Sequence, residues 1–252
     1  MAIITLTTDF GEKDPFAGAV KGAIYSEVPD MRIVDITHSI SPFHIPEAAY
    51  IIKNAYKSFP EGTIHIIGVD AELTPENKHV AIKLDGHFFI CADNGIMSLL
   101  TAEINPEKMV EINIHDAIAT NFPVLDVFVS VACHIARGGT LEVIGKKIEG
   151  IKELHHLKPH VNEASNQITG YVIYIDNYGN VVTNISKSLF ESIGKGRKFT
   201  LNARSLKIKS IYSNYSQAID FNTPKDKRFD DEGKKLAIFN ASEYIELAVY
   251  RS

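Results

Sequence analysis

Three short stretches carry side chains able to do chemistry, and each sets a carboxylate at or near the end of an apolar run. "AIITLTTDFG" reaches Asp9, "TIHIIGVD" reaches Asp70, and "IDNYGNVVTNI" sets Asp176 and Asn180 on either side of Gly179. A carboxylate offers two oxygens that only accept, so Asp9 suits either two neighbouring hydroxyls or local backbone donors at a cap, and the residue alone leaves both open. Asp70 could accept a proton from water, although aspartates ordinarily ionise near pH ~4 and are weak bases at neutrality. Asp176 and Asn180 are turn formers beside a glycine, and a carboxylate there also suits an ammonium through a charge-assisted hydrogen bond. The "DFG" at Asp9 is not expected to be a kinase metal site. Only eight residues precede it, too few for the glycine-rich loop, strand lysine and catalytic loop that such a site needs.

The elements that must position these residues alternate through the first part of the chain. "AIITLT" predicts a strand. Asp14-Pro15 predicts an N-cap followed by proline at the first helical position, with the helix running to about Val28. "RIVDIT" predicts a second strand, "SPFHIP" a loop, and Pro46 the start of a second helix through "EAAYIIKNAYKSF". "TIHIIGV" is continuously apolar, as in a strand covered on both faces, which points to a mainly parallel sheet in an α/β/α arrangement. Asp85-Gly86 between two β-rich runs predicts a hairpin. "ADNGIMSLLTA" predicts a turn and a short helix. "DVFVSVACHIARGG" predicts a helix with Asp126 as N-cap and Gly138 just past its end. From "KKIEGIKELHHLKPHVNEASNQ" onward the periodicity is lost and charge rises, which places the boundary between domains 1–155 and 156–252. Beyond it, "ITGYVIYID", "GNVVTNI", "KFTLNA", "LKIKSIYS", "KKLAIFNA" and "YIELAVY" are short runs that suit a small antiparallel β-barrel or sandwich.

Composition narrows the class. The 252 residues are 45% hydrophobic and 23% charged, with a formal net charge of -5 and both signs interspersed. That balance, without a basic stripe, does not favour nucleic acid. Cys91 and Cys133 sit in apolar runs and read as packing residues, with no CxxC pair. The N-terminus lacks the basic and apolar regions of a signal peptide, and no apolar run has the length of a membrane span, so a cytoplasmic soluble protein is the expectation.

Five motifs occur in one order: "TTDFGEKDPFAGAVKG", "PEAAYII", "GTIHIIGVD", "ADNGIMSLL" and "IDNYGNVVTNI", with "NASEYIELAVY" closing the chain. Together they resemble the S-adenosylmethionine hydrolases (hydroxide adenosyltransferases), relatives of the fluorinase and chlorinase. The resemblance covers nearly the whole chain. It implies an α/β/α N-terminal domain and a C-terminal antiparallel β-barrel, assembled as a homotrimer with intersubunit sites for S-adenosylmethionine. It implies no further cofactor, no metal, no nucleic acid and no membrane. Asp9 would then hold the ribose 2'- and 3'-hydroxyls. Asp176 and Asn180 would hold the amino-acid part and Tyr178 would pack on the adenosine. Phe122 and Asn240 would complete the substrate-binding set. Asp70 would position the water or hydroxide that attacks C5' of the ribose, where the sulfonium leaves as neutral methionine.

The resemblance weakens at the nucleophile. The family loop like "DPGVGSERR" reads "DAELTPENKH" here, with Asn77 where the family has arginine. The family's "TFHGRD" reads "NFPVLD": Pro123 replaces histidine and Leu125 replaces arginine, while Phe122 and Asp126 remain. The family's "NSxG" reads "NASE", with Ala241 and Glu243. Proline supplies no donor, base or charge, and asparagine orients a water without stabilising hydroxide by charge. Asp70 and Asn77 are therefore the catalytic candidates. A silent adenosine-binding sensor or scaffold is the alternative, and a third reading drops the ligand because Glu243 would meet the substrate's carboxylate. A halide nucleophile, helped by a drier pocket at Pro123 and Val124, is the remote possibility. Lys78 and His79 beside Asn77 could substitute for the lost arginine, but read first as a surface-loop charge and a strand-start histidine, residues of a kind that is mostly exposed. His155, His156 and His160 read as a solvated linker rather than a metal site. His38 and His44 follow the second strand and carry no assigned role. "RFDDEGKK" reads as an exposed charged loop.

Overall fold

The structure is a computed structural model and describes residues 2–101, 104–114, 120–154, 157–164, 166–224 and 232–251. The chain divides into two compact units, Met1–His156 and Leu157–Ser252.

In the first unit the order is β1 (Ile3–Thr8), α1 (Phe16–Glu27), β2 (Arg32–Thr37), α2 (Ile45–Ala55), β3 (Ile64–Gly68), β4 (His79–Leu84), β5 (His87–Ala92), α3 (Ile96–Leu100), β6 (Lys108–Ile112), α4 (Val129–Ala136), α5 (Leu141–Ile144) and β7 (Gly145–Lys147). One seven-stranded sheet runs β2-β1-β3-β5-β4-β6-β7. The pairs β1·β2, β1·β3 and β3·β5 are parallel, whereas β5·β4, β4·β6 and β6·β7 are antiparallel. Strands β2, β1, β3, β5 and β6 therefore share one direction, so the sheet is mostly parallel by orientation. Period-two alternation splits its side chains between two faces. Ile64 and Ile66 pack with Val20 and Ile24 of α1 and with Val131 and Cys133 of α4. Ile67 and Val69 pack with Ala48 and Ile52 of α2 and with Ile96 and Leu99 of α3. Helices thus cover both faces, and the buried runs "IITLTT" and "IHIIG" are continuous for that reason.

Local chemistry sets the element ends. His44 caps α2, its Nδ1 accepting from Glu47 N at 3.1 Å, and Pro46 stands in the first turn. Asp85 and Gly86 join β4 to β5 with φ of 52° and 76°, the two positive values a tight hairpin turn needs. Two expected starts differ. Pro15 occupies the N-cap of α1, with no side-chain cap. Asp126 is not the N-cap of the later helix: a π-helical turn over Val124–Phe128 opens it behind Pro123, and the Asp126 carboxylate accepts from the Thr120 hydroxyl. A polar thread crosses the core. Thr5 Oγ1 lies 2.7 Å from His65 Nδ1, and His65 Nε2 lies 3.2 Å from His87 Nδ1. Burial, then the neighbouring His87, lowers the His65 pKa to about 3. Cys91 and Cys133 are buried and free of disulfides, and burial pushes the Cys133 thiol up to about 11.

The second unit holds β8 (His160–Val161), β9 (Ile168–Thr169), β10 (Val172–Ile175), β11 (Val181–Ser186), α6 (Lys187–Gly194), β12 (Leu201–Ala203), β13 (Leu206–Ile208), β14 (Lys235–Phe239) and β15 (Tyr244–Val249). An antiparallel sheet runs β10-β11-β15-β14, and β12·β13 and β8·β9 form separate ribbons. The expected barrel is not found as a closed sheet among the described residues. Closure needs an unbroken ladder, and here the ribbons have strands of two or three residues, with only the isolated bridge Tyr212↔Ile238 added to the main sheet. Helix α6 was not expected. Ser186 caps it by accepting from Leu189 N at 3.2 Å, and Lys195 ends it with φ of 48°. Among the described residues no helix is long and apolar enough to cross a membrane.

Candidate functional site

The parallel strands bring their carboxyl ends to one edge, where ligands bind in open α/β sheets. Thr8 of β1 pairs with Gly68 of β3, so Asp9 lies one residue and Asp70 two residues beyond paired positions on adjacent strands. Gly68 is the floor between them. A Cβ there would sit 3.1 Å from Thr8 Cγ2, 3.1 Å from Val124 Cγ2 and 3.2 Å from Phe10 Cζ, so a larger residue would displace its neighbours. Phe10, Phe16 and Phe122 form a mutual aromatic triad beside Asp9, with centroids 5.4 to 5.8 Å apart. Phe122 is thus brought next to the Asp9 segment.

Asp9 is half-buried. One oxygen, Oδ2, accepts from Phe43 N at 2.9 Å, so the local capping role is real. Its Oδ1 accepts nothing among the described residues. His38 stands behind it, only 2% exposed, with Nδ1 2.7 Å from Thr8 Oγ1 and its backbone carbonyl accepting from Gly11 N at 2.7 Å. Its Nε2 is 3.2 Å from the Asp35 carboxylate but out of line for a hydrogen bond. His38 is a strut, and His44 is a helix cap.

Asp70 has φ of 46°, in the left-handed region that non-glycine residues rarely occupy. Asn94, 6% exposed, clamps this bend: its Nδ2 donates to Val69 O at 3.0 Å and Asp70 O at 3.2 Å, and its Oδ1 accepts from Ile96 N at 3.2 Å. The Asp70 carboxylate is half-buried and has no hydrogen-bond partner among the described residues. Backbone strain of this kind clusters where a side chain must point somewhere specific.

Asn77 lies in the following loop, held by Thr74. Its Oδ1 accepts from Lys152 Nζ at 2.8 Å, and the Lys152 backbone donates to Asp93 Oδ1 at 2.8 Å. A cation therefore reaches Asn77 from a segment 75 residues away. Lys78 is exposed as expected, but His79 is fully buried, 3.0 Å from Ala71 O through Nε2 and packed edge-on against Phe128. Pro123 stands at the opening of the π turn, and Val124 is buried against Gly68.

In the second unit Asp176 and Asn180 build one tight turn. Asp176 Oδ1 accepts from Tyr178 N at 2.9 Å and Asn180 N at 2.8 Å, while its Oδ2 accepts from Asn180 Nδ2 at 2.9 Å. Gly179 supplies φ of 81°. The Tyr178 side chain is largely exposed, at 81%. Sequence reasoning missed two neighbours. Asn180 Nδ2 reaches Tyr215 Oη at 3.3 Å, and that hydroxyl donates to Glu246 Oε1. Burial and the Glu246 carboxylate push the Tyr215 pKa well above its ordinary value. A signal was present: Glu246 interrupts the apolar "YIELAVY" at a position whose neighbours face the core. Asn240 shapes the β14–β15 turn, its Oδ1 accepting from Ser242 N at 3.0 Å and Tyr244 N at 3.1 Å. Glu243 takes φ of 60° there, and its carboxylate is 3.4 Å from Lys187 Nζ. A cleft of about 370 Å³ opens beside this turn, lined by Lys187, Tyr212, Phe239, Asn240 and Glu243 among others.

No group of three metal-binding side chains occurs among the described residues. His160 is exposed at the start of β8, and His155 and His156 lie outside the described residues, as does much of "RFDDEGKK".

Residues 4–145 match the SAM hydroxide adenosyltransferase N-terminal domain, and residues 170–252 match the C-terminal domain of the same family. The chain belongs to the SAM hydroxide adenosyltransferase family. Relatives in this family include an (R)-S-adenosyl-L-methionine hydrolase of Methanocaldococcus jannaschii, 29% identical over 73% of this chain and 67% of its own. A fluorinase of Actinopolyspora mzabensis is 23% identical over 98% of this chain and 90% of its own. Among solved structures, an uncharacterized conserved protein from Thermotoga maritima superposes with a TM-score of 0.83 at 25% identity, covering 98% of this chain and 92% of that one. At these identities the chain is a divergent member of the SAM hydroxide adenosyltransferases.

Proposed function

We propose that this chain binds S-adenosylmethionine and hydrolyses it to adenosine and L-methionine. The observation that carries the reading is the pair Asp9 and Asp70 on adjacent strand ends, each with a carboxylate oxygen that no described residue engages. In this reading Asp9 holds the ribose hydroxyls beside Phe122. Asp70 and Asn77 position a water. The water oxygen bonds to C5', the C5'–S bond breaks, and its electron pair stays on sulfur, which leaves as the neutral thioether of methionine. The water's proton passes to Asp70 or solvent. Asp176, Tyr178, Asn180 and Asn240 hold the remaining parts of the substrate. The same reading takes the protein as a cytoplasmic homotrimer with a β-barrel-like second domain and no cofactor.

A second reading, a silent adenosine binder, is favoured by the nucleophile side. Pro123 offers no donor and the Asn77 carbonyl oxygen is already engaged by Lys152. The test is incubation with S-adenosylmethionine and chromatography for adenosine, with chloride and fluoride added in parallel. Adenosine from wild type, lost in Asp70→Ala, supports the hydrolase. A 5'-halogenated product would move the assignment to halide transfer. No product, with heat released on titrating S-adenosylmethionine, would leave the binder.

A further inference from the structure

The segment that ends the first unit is tied down over residues 148–154 rather than left as a free linker. Ile148 N donates to Met109 O at 3.1 Å, and Ile148 and Ile151 pack against the core cluster that holds α2 and α3. Lys152 N donates to Asp93 Oδ1 at 2.8 Å, and Leu154 N donates to Ser98 Oγ at 2.9 Å. The Ser98 hydroxyl in turn donates to Gly95 O at 2.7 Å. Leu154 lies directly on Gly95, whose φ is 97°: a Cβ added there would stand 2.8 Å from Leu154 Cβ. Between these two anchors is Asn94, whose amide holds the Asp70 bend. Asn94 is thus pinned through Asp93 on one side and Gly95 on the other, both times by the same strap. The Lys152 side chain adds a third tie, from Nζ to Asn77 Oδ1 at 2.8 Å, and Asp93 N donates to Lys78 O at 2.6 Å. Burial raises the Asp93 pKa, while the Lys152 amide and ammonium lower it.

We propose that residues 151–154 are a positioning strap for Asp70. The Asp70 φ of 46° is costly for a residue with a Cβ, so the bend persists because Asn94 holds the Val69 and Asp70 carbonyls. Asn94 keeps that place because its turn is seated, and the strap is what seats it. Asp93, Ser98 and Lys152 act on the attacking water only through Asn94, Asn77 and Asp70, without touching the substrate. The catalytic half of this inference rests on the reading that Asp70 positions the water. The structural half stands without it.

The test uses the full chain and one reporter, the Ile96 amide. It donates to Asn94 Oδ1 at 3.2 Å and exchanges with solvent when Asn94 leaves its place. Asp93→Ala removes the acceptor for Lys152 N from the turn side, and Lys152→Pro removes the donor from the strap side. Each is expected to speed Ile96 exchange by about 10-fold, the scale of one lost hydrogen bond, with the β1 and β3 amides unchanged. Each should also lower kcat for adenosine formation by about 5-fold with KM unchanged, because the water is misplaced and the substrate is not. The double variant should match Lys152→Pro alone, since the two changes break one shared bond. Asp93→Asn keeps an acceptor oxygen and should stay within about 2-fold of wild type in both readouts. Ser98→Ala, which breaks the second anchor, should move them the same way as Asp93→Ala. Fast exchange confined to the Lys152 and Leu154 amides, with Ile96 as protected as in wild type, overturns the inference. So does an Ile96 freed by Asp93→Ala and untouched by Lys152→Pro, because the turn would then seat Asn94 without the strap. A freed Ile96 with wild-type kcat overturns the catalytic half. A freed Ile96 in a protein whose wild type forms no adenosine overturns the hydrolase reading and leaves the structural half standing.

Discussion

Asp70 and Asp176 each follow a strand and each open a turn, yet they are employed in opposite ways. The Asp176 carboxylate accepts three hydrogen bonds within its own turn. The Asp70 carboxylate accepts none among the described residues, and its turn is instead held from outside by Asn94. A carboxylate that builds its own loop is scaffolding first, whereas one whose loop is built by a neighbour keeps its oxygens for something else. The two aspartates are alike in sequence and differ only in who satisfies the backbone around them.

The largest effect that sharpens this contrast is on activity. Asp70→Ala is expected to lower adenosine formation by about 100-fold or more with little change in melting temperature. Asp176→Ala should instead destabilise by about 1–3 kcal/mol, because two part-buried donors and one exposed donor lose their acceptor. If Asp176→Ala melts like wild type while Asp70→Ala unfolds, the contrast is wrong. Asn94→Ala comes next. It frees the Val69 and Asp70 carbonyls, so turnover should fall by about 10-fold, with a stability loss of about 1–2 kcal/mol seen by chemical denaturation.

Acid should distinguish the two units. His65 takes its proton only near pH 3 in the folded chain, against an ordinary 6.5. His87 is shifted down as well, first by burial. Between those values the unfolded first unit binds more protons than the folded one. Stability fully present above pH 6.5 is therefore lost as pH falls toward 3. Urea midpoints of the first unit followed by circular dichroism across this window should drop, and His65→Gln should flatten the dependence. The smallest expected effect is Lys152→Met. Lys152 is exposed, so a 2- to 5-fold fall in kcat with KM unchanged is the expectation, roughly the scale of a solvent-screened charge contact. A larger fall would mean that this lysine supplies charge to the nucleophile and that Asn77 is more than a spacer.

Much of the first unit was legible because its signals are local. Continuous apolar runs gave β1 and β3, Pro46 gave the start of α2, and Asp85-Gly86 gave the hairpin. Asp9 and Asp70 could be placed at strand ends for the same reason. The parts that were not legible depend on distant partners. Asn94 acts on residues 24 and 25 positions away, Lys152 on one 75 away, and Tyr215 joins groups 35 and 31 away. His79 does open a strand, as read from the sequence, but it is buried rather than exposed because β4 is an interior strand. Asp126 looked like a cap because nothing in "NFPVLD" announces a π turn. Helix α6 follows directly on a strand, where the apolar pattern of "SLFESI" is too short to separate the two.

The left-handed bend at Asp70 sets fold stability and reactivity against each other. A residue with a Cβ in that region costs about 1–2 kcal/mol relative to its usual conformations. Glycine would relieve that cost, so Asp70→Gly should relax the bend while removing a carboxylate that no described residue restrains. The most comfortable residue for the backbone at this position is the least useful one for chemistry. Random variants chosen only for heat resistance would accordingly be expected to drift away from aspartate here, and variants chosen for turnover to return to it.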